Sequence, residues 1–422
     1  MLSGIPVRNR AARRWSAALR RQLPCLLSVG LSSGVLFAQE PNASPGDARP
    51  AAVAESEDPE VAALIEQLGD AEPQRREQAA RDLIELGNRA LPALQRQARH
   101  PNSEVRLRIV EVTSEIRRKD VDQRLARLVS GEVDPASLAL PAWQRWAELV
   151  GDDRDSRAFY AEVAKGEWGL LKFADTASDE EIARRVSALF TSYGQGTLQP
   201  MSLATYTGCL FLTCDHEQLD SATIVGFSNY SRMEPIRGSI AQGRRSDPLK
   251  RMLDRMITNM DEGLVTIGLQ MAIEHELPGG RKLSLDMLRD GGRKSEHLIR
   301  TALSALVRLG TKEDLPAIVQ VFEDRRAIRV FLMNQQQESQ LRDFALTTAA
   351  MILDESLDDY GLIVYPPVPK SQWSMGINVG FADEAARDAA FVRWSERHPA
   401  EATGDTPDET AEEGDGTPTS DR

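Results

Sequence analysis

The sequence predicts an all-α fold, an α-solenoid of helical hairpins stacked into an α-α superhelix, on three observations. Over Pro59–Arg118 one pattern occurs twice, thirty residues apart: Val61, Leu64 and Leu68 recur as Leu91, Leu94 and Ala98, and Arg76, Ala79, Ala80 and Leu86 recur as Arg106, Ile109, Val110 and Ile116. Each copy holds two runs of apolar residues at three- and four-residue spacing, the stripe of an amphipathic helix. The composition, 41% apolar, 27% charged and only 5% aromatic, fits an Ala/Leu/Arg/Glu-rich helical chain better than a sandwich or barrel. A two-helix unit has an apolar face too broad to bury alone, so such units are stable only when stacked on neighbours.

The chain of 422 residues begins with a segment, 1–38, that carries Arg8, Arg10, Arg13, Arg14, Arg20 and Arg21 and no acid, then the apolar run Leu23–Phe37 and the small residue Ala38. A basic region, an apolar stretch and a small residue at its end make a secretory signal, with cleavage expected after Ala38. The run is short of the roughly 20 residues that a bilayer span needs, and Pro24, Gly30 and Gly34 interrupt it. Trp15-Ser16-Ala17 after the arginine pair does not suit a twin-arginine signal, and Gln22-Leu23-Pro24 before Cys25 is no lipid-attachment motif. Removing the segment takes the formal charge from −13 to about −19. Nucleic acid and anionic lipid surfaces are poor partners for that balance.

Residues 39–58, rich in Pro, Ala and Glu and without an apolar period, read as a disordered linker. The N-terminal repeats follow over 59–120. Pro73 suits the first turn of a helix and Gly87 its end, Leu91-Pro92 opens the next, and Asn102 caps the one through Ile116. Leu83-x-x-Leu86-Gly87 followed by Leu91-Pro92-Ala93-Leu94, and Asn102 followed by Val105-Arg106, resemble short HEAT-type repeats, also described as HEAT-like lyase repeats. That resemblance implies that Arg76 and Arg106 bond to acids or carbonyls of the adjacent turn and hold the hairpins together.

Residues 121–175 leave the period and concentrate Trp143, Trp146, Phe159, Tyr160, Trp168 and Phe173. Leu140-Pro141-x-Trp143-x-x-Trp146, Arg157-Ala158-Phe159 and Glu167-Trp168-x-Leu170-Leu171 resemble a block in exported bacterial HEAT-like repeat proteins. These rings either plug the joint between two helical segments or line a ligand or partner groove, since large aromatics also make binding anchors.

The central region, 176–294, is argued from period alone. Ser178 and Glu181 form a capping box ahead of Ile182, Val186, Leu189 and Phe190. Leu198–Cys214 reads as a buried helix and Arg232–Glu274 as helical, with Met233, Met252, Met256, Met260 and Met271 as core filler rather than a binding face. Cys209 and Cys214 sit about 140° apart around a helix, so they are expected to be free, buried thiols.

In 295–398 the repeat returns: Leu306-x-x-Leu309-Gly310 and Leu315-Pro316-Ala317-Ile318 reproduce the Leu83–Leu94 string with one residue inserted, and Ala302 falls in a helix seam as Ala79 does. Leu341–Ile352 looks like another second helix, and Phe381-x-Asp383-Glu384-x-x-Arg387 to Trp394 again resembles the exported group. Tyr365–Ser374, with three prolines, is expected as an extended loop. Residues 399–422 hold eight acids and one arginine and read as a disordered acidic tail.

None of the five histidines has another within five residues, and no Cys-x-x-Cys, His-Glu-x-x-His, Gly-x-Ser-x-Gly or phosphate-binding glycine loop occurs. Asp215-His216-Glu217 and Glu274-His275-Glu276 each place neighbours about 100° apart on a helix, which suits solvated helix ends better than a metal site. The expectation is therefore no enzyme, cofactor or metal. It is a scaffold in the cell envelope, periplasmic or secreted, that binds a protein partner through the concave surface of the stack. Two alternatives stay open: an enzyme-associated or lyase-type subunit binding a small molecule at the aromatic block, and a structural part of an envelope assembly.

Overall fold

The computed structural model describes residues 58–194, 200–216, 219–289, 294–332 and 335–399. The expected signal segment with its cleavage point after Ala38, the linker as far as Glu57, and the acidic tail beyond Pro399 lie outside the described residues.

The first hairpins form where the repeat predicts them. Asp58 caps α1 (Pro59–Gln67), Pro73 opens α2 (Pro73–Leu86), and α3 (Leu91–Arg96) follows a short 3-10 turn. Asn102 caps α4 (Ser103–Ser130) by accepting from the Glu104 N–H at 2.9 Å. Val61, Ile65 and Leu68 of the first hairpin, Ala79 and Leu83 of α2, Leu94, and Val105, Ile109, Val112 and Ile116 of α4 close one small core. The expected division at residue 120 falls inside α4. The helix continues because Leu125 and Leu128 keep an apolar stripe running into the next core, and it stops only at Gly131 in the left-handed region.

The central body follows as α5 (Trp143–Leu149), α6 (Arg154–Ala174), α7 (Asp179–Gly194), α8 (Leu203–Thr213) and α9 (Ser221–Ser231). The stretch read as helical over Arg232–Glu274 is three helices, α10 (Ile236–Ala241), α11 (Ser246–Thr258) and α12 (Val265–His275), with Gly243 at φ 88° turning the chain between the first two. Then comes α13 (Gly279–Arg289). Buried on every side from Thr205 to Thr213, α8 is the axis of this body, packed by α6, α7, α9 and α11. Met252, Met256 and Met271 are core residues here, whereas Met233 is half exposed.

The C-terminal body is built on α14 (Glu296–Leu309), α15 (Leu315–Val319) and α16 (Leu341–Ile352), with α17 (Glu384–Arg397) closing it. It departs from a purely helical expectation. Between α15 and α16 stands an antiparallel hairpin, β1 (Ala327–Leu332) with β2 (Gln335–Gln340), and the loop expected around the three prolines starts in β3 (Ile363–Tyr365), paired with β4 (Asn378–Gly380). Ile328 and Val330 turn inward while Ala327 and Arg329 stay exposed, a period of two that no helix could accommodate. Arg342 ties the start of α16 to that of α17: Nε donates to Gln340 Oε1 at 2.6 Å and Nη2 to Glu384 Oε1 at 2.8 Å.

Candidate functional site

The two repeat arginines make the same bonds one repeat apart. Arg76 Nη1 donates to the carbonyls of Asp70 at 2.8 Å and Ala71 at 3.1 Å, and Arg106 Nη1 to those of His100 at 2.7 Å and Pro101 at 2.9 Å. Each guanidinium thus ties the fourth residue of a helix to the turn that precedes it, where the carbonyls lie outside any helix and have no ladder partner. Glu104 links the copies, 2.8 Å from Arg108 Nε and 3.9 Å from Arg76 Nε. Ala79 and Ala302 are wholly buried in helix seams. Gly310 is required by closeness: a Cβ there would stand 2.5 Å from the Leu306 carbonyl oxygen and 2.8 Å from Ile352 Cδ1. At the matching Gly87 a Cβ would meet nothing, and the constraint is instead its φ of 59° with ψ of −134°.

On the opposite side of α4 the apolar stripe is broken outward. Val110, which the repeat aligns with the half-buried Ala80, is 65% exposed, and Leu107 one turn earlier is 57% exposed. Val110 therefore does not belong to the core stripe as expected. The reason is that α4 runs straight on to Ser130 instead of turning back, so no third hairpin covers its first half. Leu107 was visible in principle, since it falls roughly 200° around the helix from Val105. Side by side, Leu107 and Val110 form an uncovered apolar ridge on a rigid helix.

The aromatic block is a joint. Trp146 is fully buried, its ring meeting Phe159 and Tyr160 edge-on at 5.5 Å and Phe211 of α8 at 5.0 Å, and Trp143 meets Tyr160 edge-on at 5.0 Å. Trp146 Nε1 donates to Ser156 Oγ at 3.1 Å, and the Tyr160 hydroxyl to the Pro141 carbonyl at 2.7 Å, so both polar tips are satisfied. Burial raises the Tyr160 phenol well above its ordinary value. The rings of Trp146, Phe159 and Tyr160 are closed to any ligand and do not line a groove. Trp168 is half-buried against the same core, and only Trp143 reaches a shallow hollow of about 450 Å³, with Arg145 and Asp179 at its rim.

The remaining chemical candidates are dispersed. Asp215 pairs with Arg255 at 3.0 Å and lies 3.7 Å from Arg145, while Glu217 lies outside the described residues. His275 Nε2 stands 2.9 Å from Ser231 Oγ, but this is no nucleophile and base: Ser231 is wholly buried and its hydroxyl donates to the Ser228 carbonyl at 2.8 Å. Cys209 and Cys214 are free and buried, and burial pushes their thiols up to about 12 and about 11, which makes them inert at neutral pH. Among the described residues no three His, Cys, Asp or Glu side chains come together as metal donors, and no helix is long and apolar enough to cross a membrane.

Comparison with known proteins agrees with the geometry of the first four helices. The family model of HEAT repeats matches residues 61–139. No curated protein matches the chain.

Proposed function

From a protein that carries HEAT repeats over residues 61–139, we propose an exported, non-catalytic scaffold that binds a partner protein along α4. The observation that carries this reading is the ridge of Leu107 and Val110, two large apolar side chains more than half exposed on a helix whose other face is locked into a core. A stacked array keeps its folding residues inside and leaves its outer positions free to meet a partner. The strongly acidic chain argues against nucleic acid as that partner, and the arginine-rich, acid-free segment before Ala38 supports export to the periplasm or medium.

The test is a photo-crosslinking residue at Leu107 in the protein expressed in its own cells, alongside the Leu107→Glu/Val110→Glu double variant. The expected result is one discrete adduct, lost in competition with untagged wild type but not with the double variant, whose circular dichroism and melting stay unchanged. An adduct that the double variant displaces equally well would end this reading. Fractionation with N-terminal sequencing tests export, with Gln39 expected at the mature N-terminus.

A further inference from the structure

A second feature lies in the central body, outside the matched repeats, and stands whether or not α4 binds a protein. Where the ends of α9 and α12 meet α10 and α11 there is a cleft of about 720 Å³, within the range of ligand sites. Its three glutamates already have cations: Glu274 pairs with Arg232 at 2.7 Å, Glu234 with Arg237 at 3.0 Å, and Glu276 with Arg308 at 2.9 Å. Lys250 of α11 lines the same cleft, and among the described residues it pairs with no carboxylate. The lining itself is balanced, Arg232, Arg237 and Lys250 against the three glutamates, and Lys250 is left without a carboxylate because Glu276 is held by Arg308 of α14 from outside the cleft.

The second fixed group is His275, which lines the cleft although only 7% of it is exposed. Because the Ser231 hydroxyl gives its proton to Ser228, Ser231 can only accept from His275, so Nε2 carries the imidazole proton. The other ring nitrogen, Nδ1, is then an acceptor, and among the described residues it has no hydrogen-bond partner. Burial holds the ring below its ordinary value and so keeps it neutral at physiological pH. An ammonium donor and an imidazole acceptor, lining one cleft with two Arg–Glu pairs, call for a ligand with a carboxylate and a nearby N–H.

We propose that this cleft binds the carboxylate of an acidic residue within a peptide segment, with Lys250 holding the carboxylate and His275 Nδ1 accepting a peptide N–H. The test uses the full chain with isotope-labelled histidine and the probe peptide acetyl-Ala-Ala-Glu-Ala-Ala-amide, its glutamine counterpart, and free glutamate. The expected result is a saturable shift of the His275 ring signal with the glutamate peptide, absent with the glutamine peptide. Lys250→Ala should weaken it by about tenfold or more, as loss of a charge-assisted hydrogen bond does. Lys250 is half-buried, and a circular dichroism spectrum and melting point equal to wild type show that the variant is folded. Free glutamate binding as tightly as the peptide would assign the site to small carboxylates rather than protein segments, overturning the peptide assignment. Equal binding of both peptides, unchanged affinity in Lys250→Ala, or no shift of His275 would overturn the site itself.

Discussion

Arg76 and Arg106 show how a single residue type can carry a repeat. Both sit at the fourth position of their helix, where the stem lies along the preceding turn and one nitrogen reaches two carbonyls that have no helical partner. The thirty-residue spacing of the two arginines was legible in the sequence, and bonds to the adjacent turn were what the resemblance to HEAT-type repeats implied. Replacing Arg76 by Met keeps the apolar stem and removes only these bonds, and it should cost about 1–2 kcal/mol in urea denaturation; a midpoint equal to wild type would show that the bonds contribute nothing. Other residues could not be read this way. Val110 aligns in the repeat with the half-buried Ala80, yet it is exposed, because burial at that position depends on whether a further hairpin follows. His275 and Lys250 lie far apart in sequence, and nothing local shows that they share a cleft.

Among the elements, the motif Leu-x-x-Leu-Gly marks a helix end at both Gly87 and Gly310, but for different reasons. Gly87 supplies a backbone conformation closed to other residues, whereas Gly310 is extended and makes room for the Leu306 carbonyl and Ile352. Gly310→Ala should therefore destabilise through a clash by about 1–3 kcal/mol, and Gly87→Ala by a similar amount through strain; a neutral outcome at Gly310 would contradict the close packing of α14 on α16. Ala302→Glu places a charge in the wholly buried seam of α14 and should cost on the order of 3–5 kcal/mol, as Ala79→Glu should in α2. Thermal melting of these variants checks the helical register directly. The hairpin of β1 and β2 escaped the reading because half of it, Gln335–Gln340, carries no apolar alternation and forms a strand only by pairing with β1.

Across the described residues as a whole, the apolar side chains divide into three clusters, and the N-terminal one is the smallest, with eleven buried residues against 37 in the central body and 30 in the C-terminal one. Only α4 is shared between the first and second clusters. In a stacked array stability is a sum over units and their interfaces, so the end unit opens first. Amide hydrogen exchange should accordingly be faster in α1 and α2 than in α8 and α14; equal protection throughout would mean a single cooperative core. The sequence by itself determined the helical class, the hairpin period, the caps and the seam residues, because these depend on spacing within one or two turns of chain. Only the tertiary structure decided that the aromatic rings are a joint rather than a groove, that α4 joins two cores with a bare ridge on its outer side, and that His275 opens beside an unpaired lysine. Each of those depends on which distant helix covers a residue, and coverage is a property of packing that no local pattern encodes.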